Sequence, residues 1–265
     1  MQRLVTPEMM DDPEARPEDL QRSLAFIRIV NSRLGGVHAL LTRLRRWSAR
    51  WPRSRPIRLL DVGTGSADIP AAAAEWAARA GHDLQITAVD LHPATLAAAA
   101  DYLDTRPEAR QRIQLEQHDA LRLMDRFQPG AFDYAHAGMF LHHLPEIEVL
   151  TVLRIMDRLA SAGVIWNDLL RSRLVLAATK FLTARQPEMV RHDACASVQA
   201  GFRAREALDI ARRVGLDYCT VRANLLQGRF VVAGEKPGAW TGHPPTPPGA
   251  NPPGASETPH TPSPP

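Results

Sequence analysis

From Pro17 to Trp47 the apolar residues Leu20, Leu24, Ile27, Val30, Leu34, Leu40, Leu41 and Leu44 recur at three- and four-residue steps, the spacing of an amphipathic helix. Gly35-Gly36 divides the run into two helices. After Pro56 the pattern changes to short apolar runs alternating with helical segments: Ile57–Val62, Ile69–Ala80, Leu84–Val89, Pro93–Leu103, Ile113–Gln117, Phe132–Met139, Ile147–Leu159 and Val164–Trp166. Such alternation marks βαβ units and a parallel sheet covered on both faces. The expected fold class is therefore α/β, a doubly wound and mostly parallel sheet behind an N-terminal helical cap.

The pattern also suggests boundaries. Residues 1–50 read as the helical cap and 51–236 as the main domain. Residues 237–265, rich in Pro, Gly, Thr and Ser, read as a flexible tail. Between Arg43 and Arg58 seven arginines and no acid read as a helix end and linker. The rhythm breaks again over about 170–205, where a helix near Leu174–Thr183 and the stretch Arg191 to Val198 suggest an insertion roofing the strand tips, where open α/β sheets bind ligands. Leu216–Leu226 and Phe230–Ala233 read as a closing antiparallel pair.

The most informative stretch is Leu59-Leu60-Asp61-Val62-Gly63-Thr64-Gly65-Ser66-Ala67-Asp68, a strand that enters a glycine turn and then a helix. Glycines there let the backbone approach a ligand and make the tight turn. Asp61 would repel a pyrophosphate but suits the ammonium of an amino-acid moiety, which favours S-adenosylmethionine over a dinucleotide. A second strand ends in Asp90, an acceptor for both ribose hydroxyls, or a helix cap ahead of Pro93. A third ends in His118-Asp119-Ala120, where Asp119 suits an adenine amine and Leu91 and Leu121 suit the ring faces; a plain loop acid is the alternative.

In this order the segments Leu60-Asp61-Val62-Gly63-Thr64-Gly65, Val89-Asp90-Leu91, His118-Asp119-Ala120 and Phe132 to Leu144 resemble the motifs of class I methyltransferases. The resemblance covers about Ile57 to Asp168. It implies a seven-stranded sheet with S-adenosylmethionine across the strand tips, held by Asp61, Gly63, Thr64, Gly65, Asp68, Asp90, Leu91, Asp119, Ala120 and His136. His-His-Leu-Pro after the fourth strand is similar to the quinone and polyketide branch, which acts on small molecules. One departure is Ala67, near which the family often carries a third glycine.

Methyl transfer to a phenol needs near-attack geometry, exclusion of water and a base for the hydroxyl proton. His142 and His143, just beyond the fourth strand, are the candidate catalytic bases, with packing against the helix at Pro145 as the alternative. His192-Asp193 reads as a solvated loop pair, with orientation of a base from the roof as the alternative. Arg171 and Arg173 read as surface ion pairs, with pairing to Asp168 or binding of an acidic acceptor as the alternatives.

Composition narrows the class. Hydrophobic residues at 45% and charged residues at 23% describe an ordinary globular chain, and a net charge of +3 does not by itself call for a nucleic-acid or membrane partner. Cys195 and Cys219 lack metal-ligand spacing, so no metal site is expected, and a reducing cytoplasm fits best. Acidic Asp11, Asp12 and Glu14 and the lack of a long apolar run argue against a signal peptide or a membrane span. Oligomeric state stays open between monomer and homodimer. A nicotinamide reductase would want a fuller Gly-x-Gly-x-x-Gly turn. An RNA-directed methyltransferase would use the arginine stretch with Trp47 and Trp51, and a non-catalytic subunit would keep the fold as a binding surface.

Overall fold

The computed structural model describes residues 1–12 and 15–240. The expected tail lies, from residue 241 onward, outside the described residues, as do Pro13 and Glu14. Two helices come first, α1 (Pro17–Arg33) and α2 (Gly36–Trp47), separated where Gly35 takes φ 90°. Then follow β1 (Ile57–Val62), α3 (Asp68–Arg79), β2 (Leu84–Asp90), α4 (Pro93–Asp104), the single turn α5 (Pro107–Arg110), β3 (Ile113–Gln117), a second single turn α6 (Leu123–Arg126) and β4 (Phe132–Gly138). The chain continues through α7 (Glu146–Leu159), β5 (Ala160–Leu169), α8 (Arg173–Thr183), α9 (Glu188–Ala200), α10 (Ala204–Arg213), β6 (Thr220–Asn224) and β7 (Arg229–Glu235).

The sheet has seven strands in the order β3-β2-β1-β4-β5-β7-β6. β1 to β5 are parallel, and the pairs β5–β7 and β6–β7 are antiparallel. Strand order reverses between β1 and β4, so the strand ends diverge there and open a crevice at their carboxyl edge. β5 runs well beyond the short apolar core expected from sequence, because β7 pairs with it from Gly163 to Leu169.

Side-chain alternation divides the core in two. Leu60 and Val62 of β1 face α7 and α10, while Ile57 and Leu59 face α2, α3 and α4. The cap is joined to this second face through Tyr134 of β4. Its ring stacks on Trp47 with centroids 5.1 Å apart, and its hydroxyl accepts from Trp51 Nε1 at 2.9 Å while donating to Glu235 Oε1 at 2.8 Å. The linker is pinned beside it, since Arg55 forks onto buried Asp133 at 2.6 and 2.9 Å. Among the described residues no single helix is long and apolar enough to cross a membrane.

Among the described residues the Tyr134 hydroxyl is the one hydrogen-bond partner of the Trp51 indole N–H, so Tyr134→Phe strands a buried donor. Urea denaturation should show a loss of about 1–3 kcal/mol for this variant. An unchanged unfolding free energy would show that the contact does not tie cap to sheet.

Candidate active site

The crevice deepens into a cavity of about 440 Å³ that runs from the glycine turn to the space under α8 and α9. All of the side chains expected from the sequence to hold the cofactor line it, as do His142 and His143. The physical reason is the parallel sheet, which delivers the ends of β1, β2, β3 and β4 to one edge.

The glycine turn leaves β1 with Gly63 at φ 67° and Gly65 at φ 55°. A Cβ on Gly63 would sit 2.3 Å from the Phe140 ring, whereas one on Gly65 would meet no protein atom within 4 Å. The first glycine is demanded by packing and the second leaves an open cradle. Ala67, in place of a third glycine, is buried and itself left-handed at φ 55°, a conformation that costs an alanine more than a glycine.

Asp90 ends β2 with Oδ2 accepting from Gly65 N at 2.9 Å and Oδ1 from His92 N at 3.1 Å. These bonds hold the carboxylate at the cavity wall while each oxygen keeps a free lone pair. Burial raises its pKa against those bonds. Asp119 caps the turn after β3 through Leu121 N at 2.8 Å, so its capping and ligand-facing placements coexist.

Asp61 and His136 stand in register on β1 and β4 and are both buried. Asp61 Oδ1 lies 2.5 Å from His136 Nδ1. One oxygen of the acid expected to meet an ammonium is thus already committed inside the protein, and His136 Nε2 is left without a partner. At the end of β4, Met139 takes φ 59°, a strained conformation for a non-glycine residue, and lines the cavity.

The two adjacent histidines are not equivalent. His142 is buried, with Nδ1 2.6 Å from Asp168 Oδ1 and Nε2 3.6 Å from Glu8 Oε1. Asp168 and Glu8 overcome desolvation and push its pKa up to about 10. His143 is more open, its Nδ1 3.2 Å from Asp11 Oδ2, and the two rings lie 4.3 Å apart.

Residues 1–12 are what the sequence reading missed here. Glu8 accepts from Ser197 of α9, and Met9 N and Met10 N donate to Asp193 at 2.8 and 3.1 Å. Arg3 reaches the carbonyls of Ala200, His142 and Leu144. The expected solvated loop pair His192-Asp193 is corrected accordingly: both residues lie on α9, and Asp193 is buried because it anchors this segment. Arg171 is likewise no surface residue. It is buried and pairs with Glu206 and the Gly201 carbonyl, while Asp168 is claimed by His142. Arg229, buried at the start of β7, and Asn31 of α1 also line the cavity unannounced by any motif; only their polarity in otherwise apolar patterns could have marked them.

Comparison with known proteins matches this geometry to a family. The family described as methyltransferase domain matches residues 60–165, the segment that holds the glycine turn and the strand tips. No curated protein matches the chain. Among solved structures, an O-methyltransferase described as putative from Nostoc punctiforme PCC 73102 is 17% identical with a TM-score of 0.59, covering 89% of this chain and 64% of its own. PigF, solved with S-adenosylhomocysteine (SAH), is 18% identical with a TM-score of 0.57, covering 87% and 62%. Magnesium protoporphyrin IX methyltransferase from Synechocystis PCC 6803, also with SAH, is 11% identical with a TM-score of 0.55, covering 86% and 91%. The chain spans only about three-fifths of the length of the first two, and at these identities the likeness is one of fold. Residues 60–165 thus match a methyltransferase-domain family, within a chain that has the class I, Rossmann-like fold of the S-adenosylmethionine-dependent methyltransferases it resembles.

Proposed function

We propose that this chain transfers a methyl group from S-adenosylmethionine to an oxygen of a small aromatic acceptor of the phenol, quinol or polyketide kind. The observation that carries the reading is the shared cavity. The glycine turn and the acids of β2 and β3 face one part of it. A histidine pair and apolar side chains of α1, α8 and α9, among them Leu24, Ile27, Val175 and Val190, face the rest. A nucleoside-sized cradle thus adjoins an apolar chamber with one polar corner, the usual design of a small-molecule site.

The residues present fit the cofactor. The open face of Gly65 admits a ligand chain against the backbone, and Asp90 is held ready for a pair of hydroxyls. Asp90, Leu91, Asp119 and Ala120 would hold the nucleoside, and Gly63, Thr64, Gly65 and Asp68 the chain that follows it. Asp61 and His136 support the floor between β1 and β4. When bound, S-adenosylmethionine supplies a methyl group on a sulfonium that departs as a neutral thioether.

The acceptor proton is the task of His143. With Nδ1–H donated to Asp11, Nε2 keeps its lone pair and takes the proton as the acceptor oxygen attacks. His142 is a positioning residue, since an imidazole with pKa about 10 stays protonated across the neutral range and is a poor base there. Its ring packs on His143, and its charge favours the negative charge developing on the acceptor oxygen. The cap and the α8–α9 pair keep bulk water from the reacting atoms. The arginine stretch is partly committed to ion pairs within the chain, Arg50 to Glu235 and Arg55 to Asp133, which favours a structural linker over a phosphate track.

Three outcomes are expected. Calorimetric titration should show saturable binding of SAH and none of NADH, and Asp90→Ala should weaken the former roughly 10- to 150-fold, the worth of hydrogen bonds to a charged acceptor. Binding of NADH alone would overturn the reading. His143→Gln should lower turnover of a phenolic acceptor by about 10²- to 10⁴-fold while the SAH affinity stays unchanged; a loss confined to KM would assign His143 to acceptor binding instead. The third concerns pH. The pKa of His142 rises on folding from an ordinary 6.5 to about 10, so its stabilisation is complete below pH 6.5 and is lost as pH climbs through 10. Thermal melts of Asp168→Asn should therefore depend less on pH between these limits than those of the wild type, and equal slopes would refute the pairing.

A further inference from the structure

Three polar side chains that the proton-transfer scheme leaves unused meet on the cavity wall beside the glycine turn. Arg229 opens β7 opposite Leu169 of β5, so its guanidinium enters at the carboxyl edge of the sheet. It is 2% exposed, and its Nη2 donates to Asn31 Oδ1 at 2.9 Å. Nε and Nη1 have no partner. Asn31 continues the contact, with Nδ2 3.4 Å from Asp68 Oδ1. Asp68 is the first residue of α3, directly after the glycine turn, and is 7% exposed. Its Oδ1 also accepts from Ser66 Oγ at 3.2 Å, and its Oδ2 has no partner.

Buried charged groups normally satisfy every polar atom, because each one left bare forfeits its hydration without return. Here one cation and one anion are held apart by a neutral amide, and each keeps free hydrogen-bonding capacity. Burial lowers the pKa of Arg229 to about 10 and raises that of Asp68, the directions expected of charges that lack sufficient partners. A neutral ligand would leave both charges bare, and a singly charged one would serve only half the pair. An α-amino acid zwitterion carries both complements on one carbon. Its carboxylate fits a guanidinium with two free nitrogens, and its ammonium fits a carboxylate with a free oxygen. Asp61 suits the ammonium less well, since its Oδ1 is already engaged by His136.

We propose that Asp68 and Arg229, bridged by Asn31, form the subsite for the amino-acid end of the cofactor, with the ammonium on Asp68 and the carboxylate on Arg229. The proposal rests on S-adenosylmethionine being the cofactor. It has a structural corollary: the three residues come from α3, the last strand and the cap, so a ligand that joins them also fastens the cap over the sheet.

The test compares two ligands on the full chain by calorimetry, SAH and 5′-methylthioadenosine, which keeps the nucleoside and thioether but lacks the amino-acid end. Wild type should bind SAH at least tenfold more tightly. Arg229→Gln and Asp68→Asn should each cut SAH affinity roughly 10- to 100-fold and leave 5′-methylthioadenosine affinity within about twofold, with Arg229→Lys intermediate. The second ligand doubles as the folding control. Equal wild-type affinity for the two ligands would overturn the subsite while leaving the cofactor in place. Variants that lose both ligands in the same proportion would reduce the residues to a structural role and overturn it too. If wild type binds neither, the cofactor reading falls, and the subsite with it.

Discussion

A carboxylate with no exposure to water has to be surrounded by donors, and at Asp168 four are supplied. His142 gives its ring Nδ1 and its backbone N–H, at 2.6 and 3.1 Å, and Trp166 Nε1 and Leu169 N add bonds at 3.2 and 2.8 Å. This one requirement sets much of the site. It draws the turn after β4 against the end of β5 and fixes the orientation of the His142 ring. It also aims the other ring nitrogen at Glu8 and so gives residues 1–12 a charged anchor beneath α9. The cluster is balanced only when His142 carries a proton, which is why, against the cost of desolvation, Asp168 and Glu8 raise its pKa.

The same logic of paired burial holds the cap. Trp47, Trp51 and Tyr134 combine ring stacking with a chain of hydrogen bonds to Glu235, so α2 is fastened to β4 and β7 by contacts that are both apolar and directional. A cap fixed in this way can close a cavity without becoming part of the sheet, and α1 then presents Leu24, Ile27 and Asn31 to the interior. Opposite it, α8 and α9 supply a mostly apolar wall. The cavity is accordingly polar at the strand tips and apolar above them, the division on which the proposed cofactor and acceptor placement rests.

Most of the frame was legible along the chain because it depends on local order. Alternating apolar runs and helices specify a parallel sheet, a parallel sheet brings its strand ends to one edge, and acids or glycines at those ends must converge there. Gly63, Gly65, Asp90 and Asp119 therefore lie on one cavity wall, as a reading of strand tips anticipates. The reading was weaker wherever an element's surroundings decide the outcome. Asp193 and Arg171 look like surface charges by composition, yet both are buried, since residues 1–12 and α10 cover them.

By itself the sequence determined the strand-and-helix order, the glycine turn and the positions of the strand-tip acids, all of which follow from spacing over a few residues. Tertiary structure alone decided which of two neighbouring histidines is buried against Asp168 and Glu8, because these carboxylates lie 26 residues after it and far before it in the chain. It alone brought Asp11 to His143 across 132 positions and Asn31 to Arg229 across 198. No local periodicity encodes such meetings. They arise when packing excludes water and each buried charge must take the nearest complementary partner the fold provides.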